Sequence, residues 1–263
     1  MNSEIREILT DLKAAARIGH ADSLNAALDL VAQLDPVASN QSFEDGFIEQ
    51  VLLPLGSALN APLVPDAWLG ELVSAPLAAL RAMAAVALTQ RYRAGNQQVE
   101  KELSDLSKDE RADVRQCLVT ALRQTEGDNS EHLFCLAQKW LQAASARTRA
   151  CGLGLLSESG FSEALPLLET AHTDEDPDVR RALVDALLEM AARGHGQDIM
   201  QMLTAWTEET SPNVWVITKT LAGSWAVDHL ASAEAILDKL AADENNAKRV
   251  ESGRKALARH HNK

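Results

Sequence analysis

Asp174-Glu175-Asp176-Pro177-Asp178-Val179-Arg180-Arg181-Ala182-Leu183-Val184-Asp185-Ala186-Leu187-Leu188-Glu189-Met190 opens a helix and recurs, in eroded form, along the chain. Acidic residues lead in, and Pro177 falls in the first turn, where the helix makes no use of the missing N–H. Val179, Ala182, Leu183, Ala186, Leu187 and Met190 follow at helical spacing, which predicts one apolar face.

Working outward, the arginine-bearing helix starts align as Arg81, Arg115, Arg149 and Arg180, with Trp215 completing the column at spacings of 34, 34, 31 and 35 residues. The residues just before them are Leu80, Val114, Thr148, Val179 and Val214. Further along, the columns read Ala84, Leu118, Gly152, Leu183 and Thr218, then Ala87, Ala121, Leu155, Ala186 and Leu221. Shorter helices are expected between these, at about 97–107, 131–144, 161–173, 195–209 and 229–242, bounded by Gly127, Gly160, Gly194 and Gly196, with a last helix at about 245–261. Toward the N-terminus, helices are expected over 3–18 and 21–34, broken at Gly19-His20 and ended by Asp35-Pro36. Phe47 to Leu59 resumes a helix interrupted near Pro54, and Asn60 to Asp66 reads as a linker.

Self-similarity at this period, built from helix pairs, predicts an all-α fold: a right-handed α-α superhelix, or α-solenoid, of stacked antiparallel helix pairs. Residues 1–68 are expected to form an irregular helical N-terminal cap, and 69–263 the repeats continuous with it in one elongated domain. The tetratricopeptide and ankyrin signatures are missing. The segment Gly160-Phe161-Ser162-Glu163-Ala164-Leu165-Pro166-Leu167-Leu168, followed by Asp174-Glu175-Asp176-Pro177-Asp178-Val179-Arg180, closely resembles a short bacterial HEAT repeat, with its first-helix proline and Asp-Pro-x-Val-Arg turn. The resemblance extends over about 70–261 and thins outward: Asp109 to Leu122 keeps Asp-Val-Arg, Ala146 to Leu156 keeps the arginine, and Ser211 to Leu221 keeps Pro and Val. It implies that the turn arginines bond acidic residues of neighbouring repeats, with Asp113, Asp178 and Asp185 available.

Composition agrees with close-packed helices: 46% of residues are hydrophobic and only 4% aromatic. The net charge of −13 offers no global attraction to nucleic acid or anionic lipid. No apolar run reaches membrane-spanning length, and the amphipathic pattern of Met1 to Arg17 differs from a secretory signal, so a cytoplasmic protein is expected. Cys117, Cys135 and Cys151 form no CxxC pair, and Cys117 and Cys151 share a packing column with Met83, Ala182 and Ile217. The scattered histidines, among them His172, predict no metal site. Without a P-loop, GxGxxG or GxSxG, no cofactor or catalytic residue is expected.

Four of the five tryptophans lie in the second half of the chain. Trp140, Trp206 and Trp225 fall among apolar positions and are expected in the core. Trp215, standing in the arginine column at a helix start, is the candidate anchor. Between Asp243 and Lys263 the cations Lys248, Arg249, Arg254, Lys255, Arg259 and Lys263 outnumber Asp243, Glu244 and Glu251. The candidate binding residues are therefore Trp215, Arg181, Lys219, Arg254 and Lys255, read as a docking patch for an acidic segment of a partner. The preferred reading of the basic end is a solvated capping helix, to which the docking patch is the alternative.

These features point to a non-enzymatic scaffold for protein–protein interaction, with no membrane and no nucleic-acid partner; an acidic concave face would favour a basic protein. The alternative is a DNA-binding or repair module. Lys139-Trp140 before Arg147, Thr148 and Arg149, and Ala205-Trp206 before Asn213, Val214 and Trp215, resemble the DNA alkylation repeat family. Ile217-Thr218 departs from the paired basic residues expected there, and no catalytic residue transfers.

Overall fold

A computed structural model describes residues 3–35, 37–44, 46–124, 130–156, 161–209 and 212–261. Among them the chain is helical, without strands. Pro36, Gly127, Gly160, Ser211 and Lys263 lie outside the described residues. Internal contacts divide the chain into two compact units, Met1–Cys135 and Leu136–Lys263.

The first unit begins with α1 (Ser3–Ile18) and α2 (Ala21–Ala32), separated by Gly19 at φ +68°. A Cβ at Gly19 would lie 2.3 Å from the Leu63 carbonyl oxygen, so both the dihedral and the close approach demand glycine. A π-helical turn, Ile48–Leu52, then runs into α3 (Leu53–Ala58), and Pro54 falls in the first turn of α3, as its lost donor requires. α4 (Asp66–Leu72), α5 (Ala78–Arg93), α6 (Glu100–Leu106) and α7 (Ala112–Arg123) follow, with α5 packed against α3, α4, α6 and α7. Ala78 to Thr89 of α5 is buried almost continuously, and its many alanines let neighbours approach on several sides.

The linker-like stretch 60–66 is pinned. Arg91 donates to the carbonyls of Leu59, Ala61 and Val64 and pairs with Asp66, while Asn96 also donates to Asp66. Composition marks a break in helix there but is silent about a cation 27 residues downstream that satisfies the loop carbonyls.

The division between the units falls inside α8 (Ser130–Leu141). The second unit continues with α9 (Ala146–Leu156), α10 (Phe161–Ala171), α11 (Pro177–Met190), α12 (Gly196–Trp206), α13 (Val214–Leu221), α14 (Leu230–Ala241) and α15 (Ala247–His261). α9 packs on α11, α11 on α13 and α13 on α15, while α12 packs on α14. The repeat columns are their contact faces: Val179, Leu183 and Leu187 are fully buried, as are Ile217 and Leu221. At Gly152 a Cβ would stand 3.1 Å from the Ala137 carbonyl oxygen, so the residue at this column brings α8 and α9 close. α11 opens on Asp176, whose side chain accepts from the Asp178 N–H, with Pro177 at the first helical position.

Candidate functional site: an interrupted arginine ladder

The column arginines all perform one local task. Each is carried at the start of a helix and turns its guanidinium back onto the preceding turn. Arg81 donates to the carbonyls of Ala75 and Pro76, Arg115 to those of Asp109 and Glu110, Arg149 to those of Ala143 and Ala144, and Arg180 to that of Asp174. These bonds satisfy carbonyls that a helix-to-helix turn leaves without partners.

Arg81 and Arg149 also reach an acidic side chain in the next turn. Arg81 holds Asp109 through Nε at 2.5 Å and Nη2 at 3.1 Å. Arg149 holds Asp174 in the same way, at 2.7 and 3.3 Å. Such two-pronged contacts are the strong form of the ion pair. Burial alone would push the Asp174 carboxyl up; the hydrogen bonds from Arg149 and the Asp176 N–H, with the nearby Arg149 and Arg180 charges, outweigh it and hold Asp174 below its ordinary value. The acidic partners are thus Asp109 and Asp174, six residues before the next arginine. Of the acids expected in this role, Asp113 pairs with Arg111, Asp178 with Arg181, and Asp185 lies near Arg181 and Glu189. Asp113 and Asp178 sit within the first turn of their own helices, where they complement the helix N-terminus instead.

The position corresponding to Asp109 and Asp174 before Trp215 is Glu209, so the pattern would pair Arg180 with Glu209. It does not. Glu209 is taken by His172, whose Nε2 lies 2.7 and 2.9 Å from the two carboxylate oxygens, while Nδ1 meets the Glu169 carbonyl oxygen at 2.5 Å. Both ring nitrogens therefore lie within hydrogen-bond distance of an oxygen acceptor. His172 is buried and stacks on buried Trp206 with ring centroids 4.7 Å apart at 11°, a parallel ring contact that adds to the packing of both. Trp206 donates to Glu169, and Asn213, which caps α13 by accepting from the Val216 N–H, donates to the His172 carbonyl. Among the described residues, Arg180 therefore has no carboxylate at ion-pair distance.

Trp215, the residue in the fifth column position, is half-buried and stands between two grooves. One, of about 560 Å³, is lined by Arg180, Asn213, Trp215, Asn246 and Arg249, with Glu175 and the His172–Glu209 pair on its wall. The other, of about 270 Å³, has Trp215, Thr218, Ala222 and Gly253 at its base and Lys219 and Lys248 beside them.

Of the binding residues expected from sequence, Trp215 and Lys219 are brought together. Arg254 lies on a different face of α15, paired with Asp238 in a groove toward α14. Lys255 pairs with Glu251 one turn away, and Arg181 with Asp178; neither lines the grooves beside Trp215. Counting charge along 243–263 sums every face of one helix, whereas the structure sorts them. The residues missed by sequence are Arg180 as a groove cation, Lys248, Arg249 and the His172–Glu209 pair. The available signal was the acidic residue six before three of the five column positions, Asp109 before Arg115, Asp174 before Arg180 and Glu209 before Trp215.

Trp140 and Trp206 are buried, as their periodicity predicts, so neither is free to stack on a base. Trp225 is only partly buried; its Nε1 donates to the Thr220 carbonyl, and its ring packs against Gly196 and Gly223, where a Cβ would intrude. Burial, with a smaller push from Glu49, takes the Cys117 thiol up to about 12, which leaves it inert as a nucleophile. Among the described residues there is no group of three His, Cys, Asp or Glu placed to hold a metal, and no helix long and apolar enough to cross a membrane. Comparison with protein-family models and with curated proteins gives no significant match for this chain.

Proposed function

We propose that this chain is a HEAT-like repeat protein, a right-handed stack of antiparallel helix pairs, acting as a non-enzymatic scaffold that binds another protein. The repeat reading is supported by the succession of α9, α11, α13 and α15, each against the next, and by the arginine that closes every turn from Arg81 to Arg180. The docking reading rests on one observation: the arginine ladder stops where Trp215 replaces arginine, and grooves open on both sides of that ring. A half-buried tryptophan beside cavities is the residue type that anchors protein interfaces.

The test is a photo-crosslinking side chain in place of Lys219, introduced into the full chain in its native host. The expected result is a discrete adduct with another protein that disappears when Trp215→Ala is added. No adduct at this position, or tight salt-sensitive binding of the purified chain to duplex DNA, would overturn the reading, the second outcome in favour of nucleic-acid recognition.

A further inference from the structure

The grooves beside Trp215 differ in character, and the difference specifies an occupant. The larger carries two guanidinium groups, Arg180 and Arg249, with the amides of Asn213 and Asn246. The smaller has a floor of short side chains, Thr218, Ala222, Gly253 and Ala256, with Lys219 and Lys248 beside it. Among the described residues, Lys219, Lys248 and Arg249 form no ion pair. This is unexpected in a chain with 38 acidic and 25 basic residues, where a cation has carboxylates in excess to choose from. The neighbouring cations follow the ordinary course: Arg254 pairs with Asp238, Lys255 with Glu251 and Lys239 with Glu208. The acid that repeat geometry would supply to Arg180 is held by His172.

We infer that the Trp215 grooves bind an extended acidic segment of a protein partner, with a carboxylate side chain between Arg180 and Arg249 and a small or apolar side chain across Trp215 in the pocket floored by Ala222 and Gly253. This rests on the scaffold reading and adds the chemistry of the partner. The guanidinium pair supplies planar donors suited to a carboxylate. The indole face covers the adjoining residue, while Lys219 and Lys248 set the sign of the potential at the approach. Glu175 and Glu209 also line the larger groove: Glu209 is engaged by His172, and Glu175 disfavours a second carboxylate beside it.

The experiment uses the full chain and three labelled peptides of one length: one of alternating Glu or Asp with Ala and Leu, one with the acids changed to Gln and Asn, and one with them changed to Lys. The acidic peptide is expected to bind with salt-sensitive affinity that falls at least about tenfold in Lys248→Glu/Arg249→Glu and in Trp215→Ala, and by less than about twofold in Arg254→Glu/Lys255→Glu, whose side chains line neither groove. The neutral peptide should bind weakly and the basic one not at all. Equal loss in both charge-reversal pairs would show attraction to the basic end at large and overturn the groove. Failure of the acidic peptide to bind, preference for the basic peptide, or duplex DNA binding lost in Lys248→Glu/Arg249→Glu would each overturn the occupant. A Lys219 crosslink that depends on Trp215 while the acidic peptide does not bind would remove this inference and leave the scaffold reading standing.

Discussion

The guanidinium of Arg149 grips the carboxylate of Asp174, 25 residues downstream, through two hydrogen bonds, Nε to Oδ2 at 2.7 Å and Nη2 to Oδ1 at 3.3 Å. The same arginine donates to the carbonyls of Ala143 and Ala144, so one side chain ties the turn before α9 to the turn before α11. Asp174→Asn should lower stability by about 1–2 kcal/mol, within the range for hydrogen bonds to charged groups. Because the Asp174 carboxyl is held below its ordinary value, this contribution is complete above the unfolded-state value, near pH 4, and is lost as pH falls through the lower folded-state value. Urea unfolding from neutral pH downward should therefore show the parent and Asp174→Asn converging in acid; a gap that persists once the parent's Asp174 is protonated would assign the loss to packing.

Leu183 is fully buried on the face that α11 shares with its neighbours. Leu183→Asp places a carboxylate there without a partner and should cost about 3–5 kcal/mol, enough to unfold a marginal unit. Circular dichroism melting that matches the parent would contradict the assigned face.

Two glycines should respond oppositely to alanine. At Gly56 a Cβ would lie 2.6 Å from the Val86 Cβ and 2.8 Å from the Met83 carbonyl oxygen, whereas at Gly70 it would meet nothing within 4 Å. Gly70→Ala should stabilise by up to about 1 kcal/mol through helix propensity. Gly56→Ala should destabilise by about 1–3 kcal/mol, since the overlap between α3 and α5 exceeds that gain. Denaturant midpoints of the two variants decide the matter.

Trp206 and Trp215 should also differ. Trp206 is buried, hydrogen-bonded to Glu169 and stacked on His172, so Trp206→Ala should lose about 3–5 kcal/mol. Half-buried Trp215, open to two grooves, should lose clearly less, and a loss as large as that of Trp206→Ala in the same melting assay would make it a core residue.

The helical character and the buried columns were legible because burial imposes a period that the residues obey: Leu118, Leu183 and Leu221 fall where the spacing puts them. Helix starts at Pro177 and the break at Gly19 were equally readable, each being a local backbone requirement. What stayed hidden was side-chain partnership over distance. Arg91 securing the 59–66 loop and His172 diverting Glu209 from Arg180 depend on which side chain arrives first at a carbonyl or carboxylate, and no period encodes that. Trp215 was legible as an exception within a column, and Lys219 lies one helical turn beyond it. Arg254 and Lys255 were grouped with them because linear charge counting cannot separate the faces of α15.

The measurement that bears most directly on the account is to repair the interruption in the ladder. Trp215→Arg restores the residue that every other column position carries, without removing a cation from either groove. If the loss of arginine at this position created the docking surface, the variant keeps its cooperative thermal unfolding near the parent midpoint and loses the Trp215-dependent protein crosslink at position 219. A Trp215→Arg chain that folds and still crosslinks to the same protein at the parent level would contradict the account.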